Sequence, residues 1–249
     1  MEDCHLTSLP TLIAPLGTLI SRGNPLGRFD APLPTTLQEF DAEGIEYLPK
    51  TFYAEFRTLK VVSSTSLKED DLDHLVARAK NLDSLTVIVC DRKRLPYDLP
   101  TTIKFLHFAD NSHLTDDAMD DLADKLPKLE KLVIEGNALK RLPRNLPPSL
   151  KELIVKNNQI EELPDNIIER FPKLTLLDME NNKLEKPPMA GAPLSGLPRV
   201  KIKGNPIPNN TPRDANRIAE LEKELAHMKN LFTKLLTDKR EDEKSFTHN

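Results

Sequence analysis

Six histidines, two cysteines and a run of aspartates are the side chains in this sequence most able to do chemistry. The histidines are His5, His74, His107, His113, His227 and His248, and none of their spacings holds a metal. Cys4 and Cys90 are too few for a disulfide framework. Asp116, Asp117, Asp120, Asp121 and Asp124 are dense, but a calcium loop needs alternating oxygen ligands and a central glycine, which this run lacks. They read as the solvated acids of one helix. There is no phosphate-binding glycine loop and no nucleophile elbow. No catalytic residue, metal ligand, cofactor or small-molecule substrate is expected.

The information lies instead in a spacing. Leu150, Leu153, Val155, Asn158, Ile160, Leu163 and Pro164 are repeated by Leu129, Leu132, Ile134, Asn137, Leu139, Leu142 and Pro143. Leu174, Leu177, Met179, Asn182 and Leu184 repeat them again. Counting from the first leucine, repeats start at Leu16, Leu37, Phe56, Leu82, Ile103, Leu129, Leu150, Leu174 and Leu197, with a half-repeat before them at Cys4, Leu6, Leu9 and Pro10. That makes nine to ten units, which sequence self-similarity of this period reads as a stacked repeat protein. Phe56, Ile103, Leu150 and Leu197 are each 47 apart, so long and short repeats alternate.

The Leu-x-Leu core of each repeat predicts a short strand with its leucines turned inward, because side chains alternate with period 2. The eighth place after each start holds Asn24, Asn111, Asn137, Asn158, Asn182 or Asn205, with Ser64, Cys90 and Cys4 as substitutes. An amide there can satisfy backbone groups of adjacent turns, so both cysteines have a structural reading. Behind the strands, Leu72, Leu75, Val76 and Ala79 follow Glu69-Asp70-Asp71 at helical spacing. Met119, Leu122 and Leu126 do the same behind an N-cap at Thr115. The short repeats carry Leu95-Pro96 and Leu99-Pro100, then Leu142-Pro143 and Leu146-Pro147, a pattern that favours polyproline II. The repeat at Leu37 lacks the Asn and is the weakest, so a shortened turn with strain or a broken ladder is expected there.

The chain resembles the leucine-rich repeat superfamily over roughly residues 4–207. Its long repeats are similar to the ribonuclease-inhibitor type, and Leu-Pro-Pro-Ser-Leu-Lys-Glu-Leu at 146–153 is similar to repeats of small proteoglycans and bacterial effectors. The proteoglycans' flanking cysteine clusters are missing from these residues, and an effector's catalytic domain is not expected among them. The resemblance implies an α/β leucine-rich repeat solenoid over 1–208, with a curved parallel sheet on the concave side and mixed helix and polyproline II on the convex side. It biases function towards binding another protein.

In such a fold the second, fourth and sixth places of each repeat face the concave surface. Ile88, Phe105, Val133, Ile154 and Leu176 then form a diagonal apolar group, with His107 beside Phe105, and an apolar cluster rimmed by charge often marks an interaction site. Arg199, Lys201 and Lys203 make a basic patch on the last turn. Ile218, Leu221, Leu225, Met228, Phe232 and Leu235 alternate three and four apart within 211–239. That C-terminal heptad helix would either cap the open end of the repeats or pair in a homodimer, and 240–249 is expected to be disordered.

The bulk numbers agree. The 249 residues are 38% hydrophobic and 30% charged with net charge −4, whereas a nucleic-acid binder is usually basic. No run approaches the ~18 apolar residues of a membrane span, and the N-terminus lacks the pattern of a signal peptide. The expectation is a cytoplasmic or nuclear, non-enzymatic adaptor with a protein or peptide partner on its concave face. The alternative is a secreted or pathogen-derived recognition protein for a host or matrix protein.

Overall fold

The computed structural model describes residues 6–7, 15–24, 26–27, 33–47, 55–164, 167–186 and 199–207. The chain divides into two units, Met1–Pro206 and Ile207–Asn249. The half-repeat at Cys4, the heptad positions Ile218 to Leu235 and residues 240–249 lie outside the described residues.

Nine strands form one sheet in chain order, every neighbouring pair parallel. They are β1 (Thr18–Ile20), β2 (Glu39–Glu43), β3 (Thr58–Val62), β4 (Ser84–Ile88), β5 (Phe105–Ala109), β6 (Lys131–Val133), β7 (Glu152–Ile154), β8 (Leu176–Asp178) and β9 (Arg199–Lys201). Thr18, Glu39, Thr58, Ser84, Phe105, Lys131, Glu152, Leu176 and Arg199 pair in one continuous row. Each is the second place of its repeat, so unequal repeat lengths are absorbed wholly behind the sheet. Register follows the leucines, because a one-residue slip would turn every core side chain outward. Leu59, Leu85, Leu106, Leu132, Leu153 and Leu177 are fully buried in the next row. Each such burial stabilises by about 1.5–3 kcal/mol.

The amide places behave as expected. Asn158 Oδ1 accepts the Leu139 N–H at 3.2 Å, and Nδ2 donates to the carbonyls of Ile134 at 2.7 Å, Val155 at 3.0 Å and Lys156 at 3.2 Å. Asn111, Asn137, Asn182 and Asn205 make the same kind of bridge to the preceding turn. The Cys90 thiol donates to Ile88 O at 3.2 Å, and Ser64 Oγ accepts the Ile45 N–H at 2.9 Å.

The residue just before that place has a positive φ in all nine repeats: Gly23, Gly44, Ser63, Val89, Asp110, Gly136, Asn157, Asn181 and Gly204. From Gly44 to Asn181 its N–H donates to the sixth-place carbonyl of the following repeat, extending the ladder past the strand ends. At Gly136 a side chain is also excluded by space, since a Cβ would stand 1.9 Å from Asp110 Oδ1.

Two expectations need correction. The ladder does not break at the Leu37 repeat: β2 pairs with β3 over five residues and with β1 over three. Gly44 supplies the left-handed turn there, at φ +66. Ile45 takes the Asn place with its side chain in the core, and Ser64 of the next turn serves its N–H.

The second correction concerns the backs. The first helix forms as α1 (Glu69–Arg78), with Leu72, Leu75 and Val76 buried and three acids in its first turn, where the helix dipole favours them. The helix expected from Thr115 to Leu126 is instead a 3-10 turn, Asp117–Met119, followed by the single turn α2 (Leu122–Lys125). Between them Asp121 is left-handed at φ 61. Thr115 makes no side-chain cap; the residue at the cap position is Asp116. Three of the five aspartates, Asp116, Asp117 and Asp120, are bound rather than merely solvated. Asp116 Oδ1 accepts the N–H groups of Lys140 and Arg141, and Asp120 is drawn to Arg141 and to the Arg144 N–H. A third single turn, α3 (Ile167–Arg170), backs β7. The Leu-Pro segments at 95–100 and 142–147 form neither helix nor strand.

The 47-residue period is structural. Thr102 Oγ1 donates to Leu82 O at 2.7 Å, and Ser149 Oγ, 47 residues on, donates to Leu129 O at 2.7 Å.

Candidate functional site

One face of each strand carries the core leucines. The other carries the second, fourth and sixth places, whose residues are mostly exposed or half-buried. This open face is a grid whose rows follow the ladder register.

The fourth-place row reads Ile20, Asp41, Lys60, Thr86, His107, Val133, Ile154, Asp178 and Lys201. His107, Val133 and Ile154 are therefore neighbours on adjacent strands. Val133 is 5% exposed because His107 and Ile154 flank it on either side. Phe105 and Leu176 share the second-place row but are separated by Lys131 and Glu152, which pair at 2.7 Å. Ile88 lies in line with Val62 and Ala109. The apolar group is thus a stepped diagonal, from Ile88 through His107, Val133 and Ile154 to Leu176. Its members are half-buried or, at Val133, buried. They offer the tops of side chains rather than protruding ones.

Charges around the diagonal are largely paired. Lys156 Nζ meets Glu135 Oε2 at 2.8 Å, and Lys201 Nζ meets Asp178 Oδ2 at 2.9 Å. The basic patch is thereby reduced, since Lys201 is engaged while Arg199 and Lys203 are exposed.

The Phe105 and His107 rings lie 6.1 Å apart, and Lys131 Nζ stands 5.8 Å from the Phe105 centroid. Burial pushes the His107 imidazole below its ordinary value, opposed by Glu135, whose Oε1 is 3.6 Å from Nε2. Nε2 itself is buried without a hydrogen bond. Burial likewise raises the Cys90 thiol, so the thiolate needed for reactivity is disfavoured there. His113 contacts Asp91, but through Nδ1, the same nitrogen that faces Ser112 Oγ at 3.5 Å. A relay needs both ring nitrogens, so these three residues do not form one. Among the described residues no group of three His, Cys, Asp or Glu side chains could hold a metal ion.

The sequence reading missed the start of this face. Counting two, four and six from Leu37 yields Glu39, Asp41 and Glu43, three acids on one strand. Arg22 Nε donates to Asp41 Oδ2 at 2.7 Å, and Lys60 Nζ reaches the same oxygen at 3.4 Å.

Comparison with solved structures decides the fold. The chain superimposes on YopM, a leucine-rich effector protein from Yersinia pestis, with TM-score 0.62 and 27% identity, over 85% of this chain and 56% of that one. It also matches the functional domain of InlJ from Listeria monocytogenes, described as including a cysteine ladder, with TM-score 0.53 and 20% identity, over 79% of this chain and 41% of that one. The chain has the leucine-rich repeat fold. It spans little more than half of the YopM structure and less than half of the InlJ structure. No family model matches it, and no curated protein does. Within this fold the bridged asparagines join successive turns, and the second, fourth and sixth places form the open sheet face.

Proposed function

We propose that the chain is a non-enzymatic adaptor that binds a protein or peptide on the concave face of a leucine-rich repeat solenoid. The observation that carries this reading is the stepped apolar diagonal, where His107, Val133 and Ile154 are register partners across β5, β6 and β7 while the charges beside them are paired among themselves. Covering such a strip costs little, because few unpaired charges must be desolvated. Phe105, Ile154 and Leu176 supply the apolar contact, and Arg199 and Lys203 supply a charged rim. The heptad segment 211–239 would cap the last repeat or pair two copies, and a cytoplasmic or nuclear setting suits the free, buried Cys90. The test is affinity purification with the intact chain beside the Phe105→Asp, Ile154→Asp double variant. Retention of the same partner by the folded double variant overturns the reading.

The likeness to YopM favours a second reading, a pathogen-derived protein whose concave face meets a host protein. Fractionation of the source cells separates the two, since an adaptor stays inside and an exported recognition protein is recovered outside.

A further inference from the structure

Two aspartates are buried in the fourth-place row, Asp41 and Asp178, each 4% exposed. Asp178 is complete: Oδ2 takes Lys201 at 2.9 Å, and Oδ1 accepts the Glu180 N–H at 3.3 Å. Asp41 is not. Both of its cations, Arg22 and Lys60, sit on Oδ2, and Oδ1 is buried with no hydrogen-bond donor. Leaving an ionised oxygen in that state is unfavourable, and a donor brought to it would recover the loss.

Its surroundings select the donor. Glu39 and Glu43 project from the same face of β2, two residues to either side. Glu39 accepts only the Thr18 hydroxyl at 3.5 Å and Glu43 only the Gly23 N–H at 2.9 Å, so neither meets a cation among the described residues. The face of β1 to β3 therefore holds three carboxylates, with Arg22 and Lys60 both reaching the same oxygen of Asp41. The Arg22 side chain is 51% exposed.

We propose that Glu39, Asp41 and Glu43 take a guanidinium or ammonium group of the bound partner, a reading that rests on the partner lying across this face. Arginine fits better than lysine, because its planar fork can bridge two carboxylates while donating to Asp41 Oδ1. Three strand spacings separate Asp41 from His107, roughly 14 Å. The partner segment thus carries a basic side chain some four to five extended residues, at ~3.3 Å each, from its apolar anchors.

The test pans a random peptide display library on the full chain. Recovered peptides are then synthesised with arginine or with citrulline, which keeps the size and removes the charge. Recovered peptides are expected to combine a basic residue with apolar ones, and citrulline should weaken binding about tenfold or more. Asp41→Asn and Glu43→Gln should each erase the difference between arginine and citrulline. Glu43 is partly exposed, so its variant keeps the test valid if Asp41→Asn fails to fold. Peptides without basic residues, or a citrulline penalty unchanged in both variants, overturn the acidic site while sensitivity to Phe105→Asp with Ile154→Asp upholds the concave face. Peptides indifferent to that double variant, or a library yielding no binder, overturn both.

Discussion

Arg141 grips Asp120 with two nitrogens, Nη1 on Oδ1 and Nη2 on Oδ2, each at 2.9 Å, across 21 residues of sequence. Arg94 holds Asp73 in the same way, at 3.2 and 2.8 Å and also across 21 residues. The two clamps are 47 residues apart and join the back of a long repeat to the first Leu-Pro of the short repeat that follows. Each arginine also donates to the carbonyl of that leucine, Leu95 or Leu142.

Arg141→Ala should destabilise the chain by about 1–3 kcal/mol in urea denaturation, and Arg141→Lys should not fully restore it, because lysine cannot bind both oxygens in plane. The hydrogen bond from Arg141 holds the Asp120 carboxyl below its ordinary 3.8. The stabilisation is therefore present above pH 3.8 and is lost as pH falls through the depressed folded value. Asp120→Asn should flatten that part of the acid-unfolding curve.

Asn158→Leu removes a group that serves one N–H and three carbonyls of two turns. A loss of about 1–3 kcal/mol is expected. Hydrogen exchange should show the Leu139 amide losing protection first. Unchanged protection there would mean that the bridge contributes nothing.

Val89 is β-branched, 41% exposed and left-handed at φ 52, where other repeats place Gly, Asn, Asp or Ser. A left-handed L residue costs roughly 1–2 kcal/mol. Val89→Gly should raise the melting temperature, whereas Gly136→Ala, at φ +65 and against Asp110, should lower it.

His107 should make stability fall in mild acid. Its folded value is depressed below 6.5, first by burial, so the unfolded chain binds the proton more readily. The contribution is whole above pH 6.5 and declines as pH falls through that value. Denaturant midpoints measured between pH 7.5 and 5 should decrease in the native chain and change less in His107→Phe.

The leucine spacing made the sheet legible, because period-2 burial sets the register of every strand and the repeat starts locate the rows of the open face. What it left hidden depends on partners distant in sequence. Asp41 matters through Arg22 and Lys60, each 19 residues away in a neighbouring repeat. The helix expected after Thr115 is interrupted where Arg141 and Arg144 bind Asp120 from the next turn, outside any local window. The left-handed place before each asparagine is filled by five residue types, so no single letter announces it.

The central claim is that the partner lies on the open sheet face. A photo-crosslinking amino acid at Ile154, on that face, should capture the partner in cells. The same group at Tyr97, which is 70% exposed on the back beneath Arg94, should not. Crosslinking at Tyr97 with none at Ile154 would contradict the account.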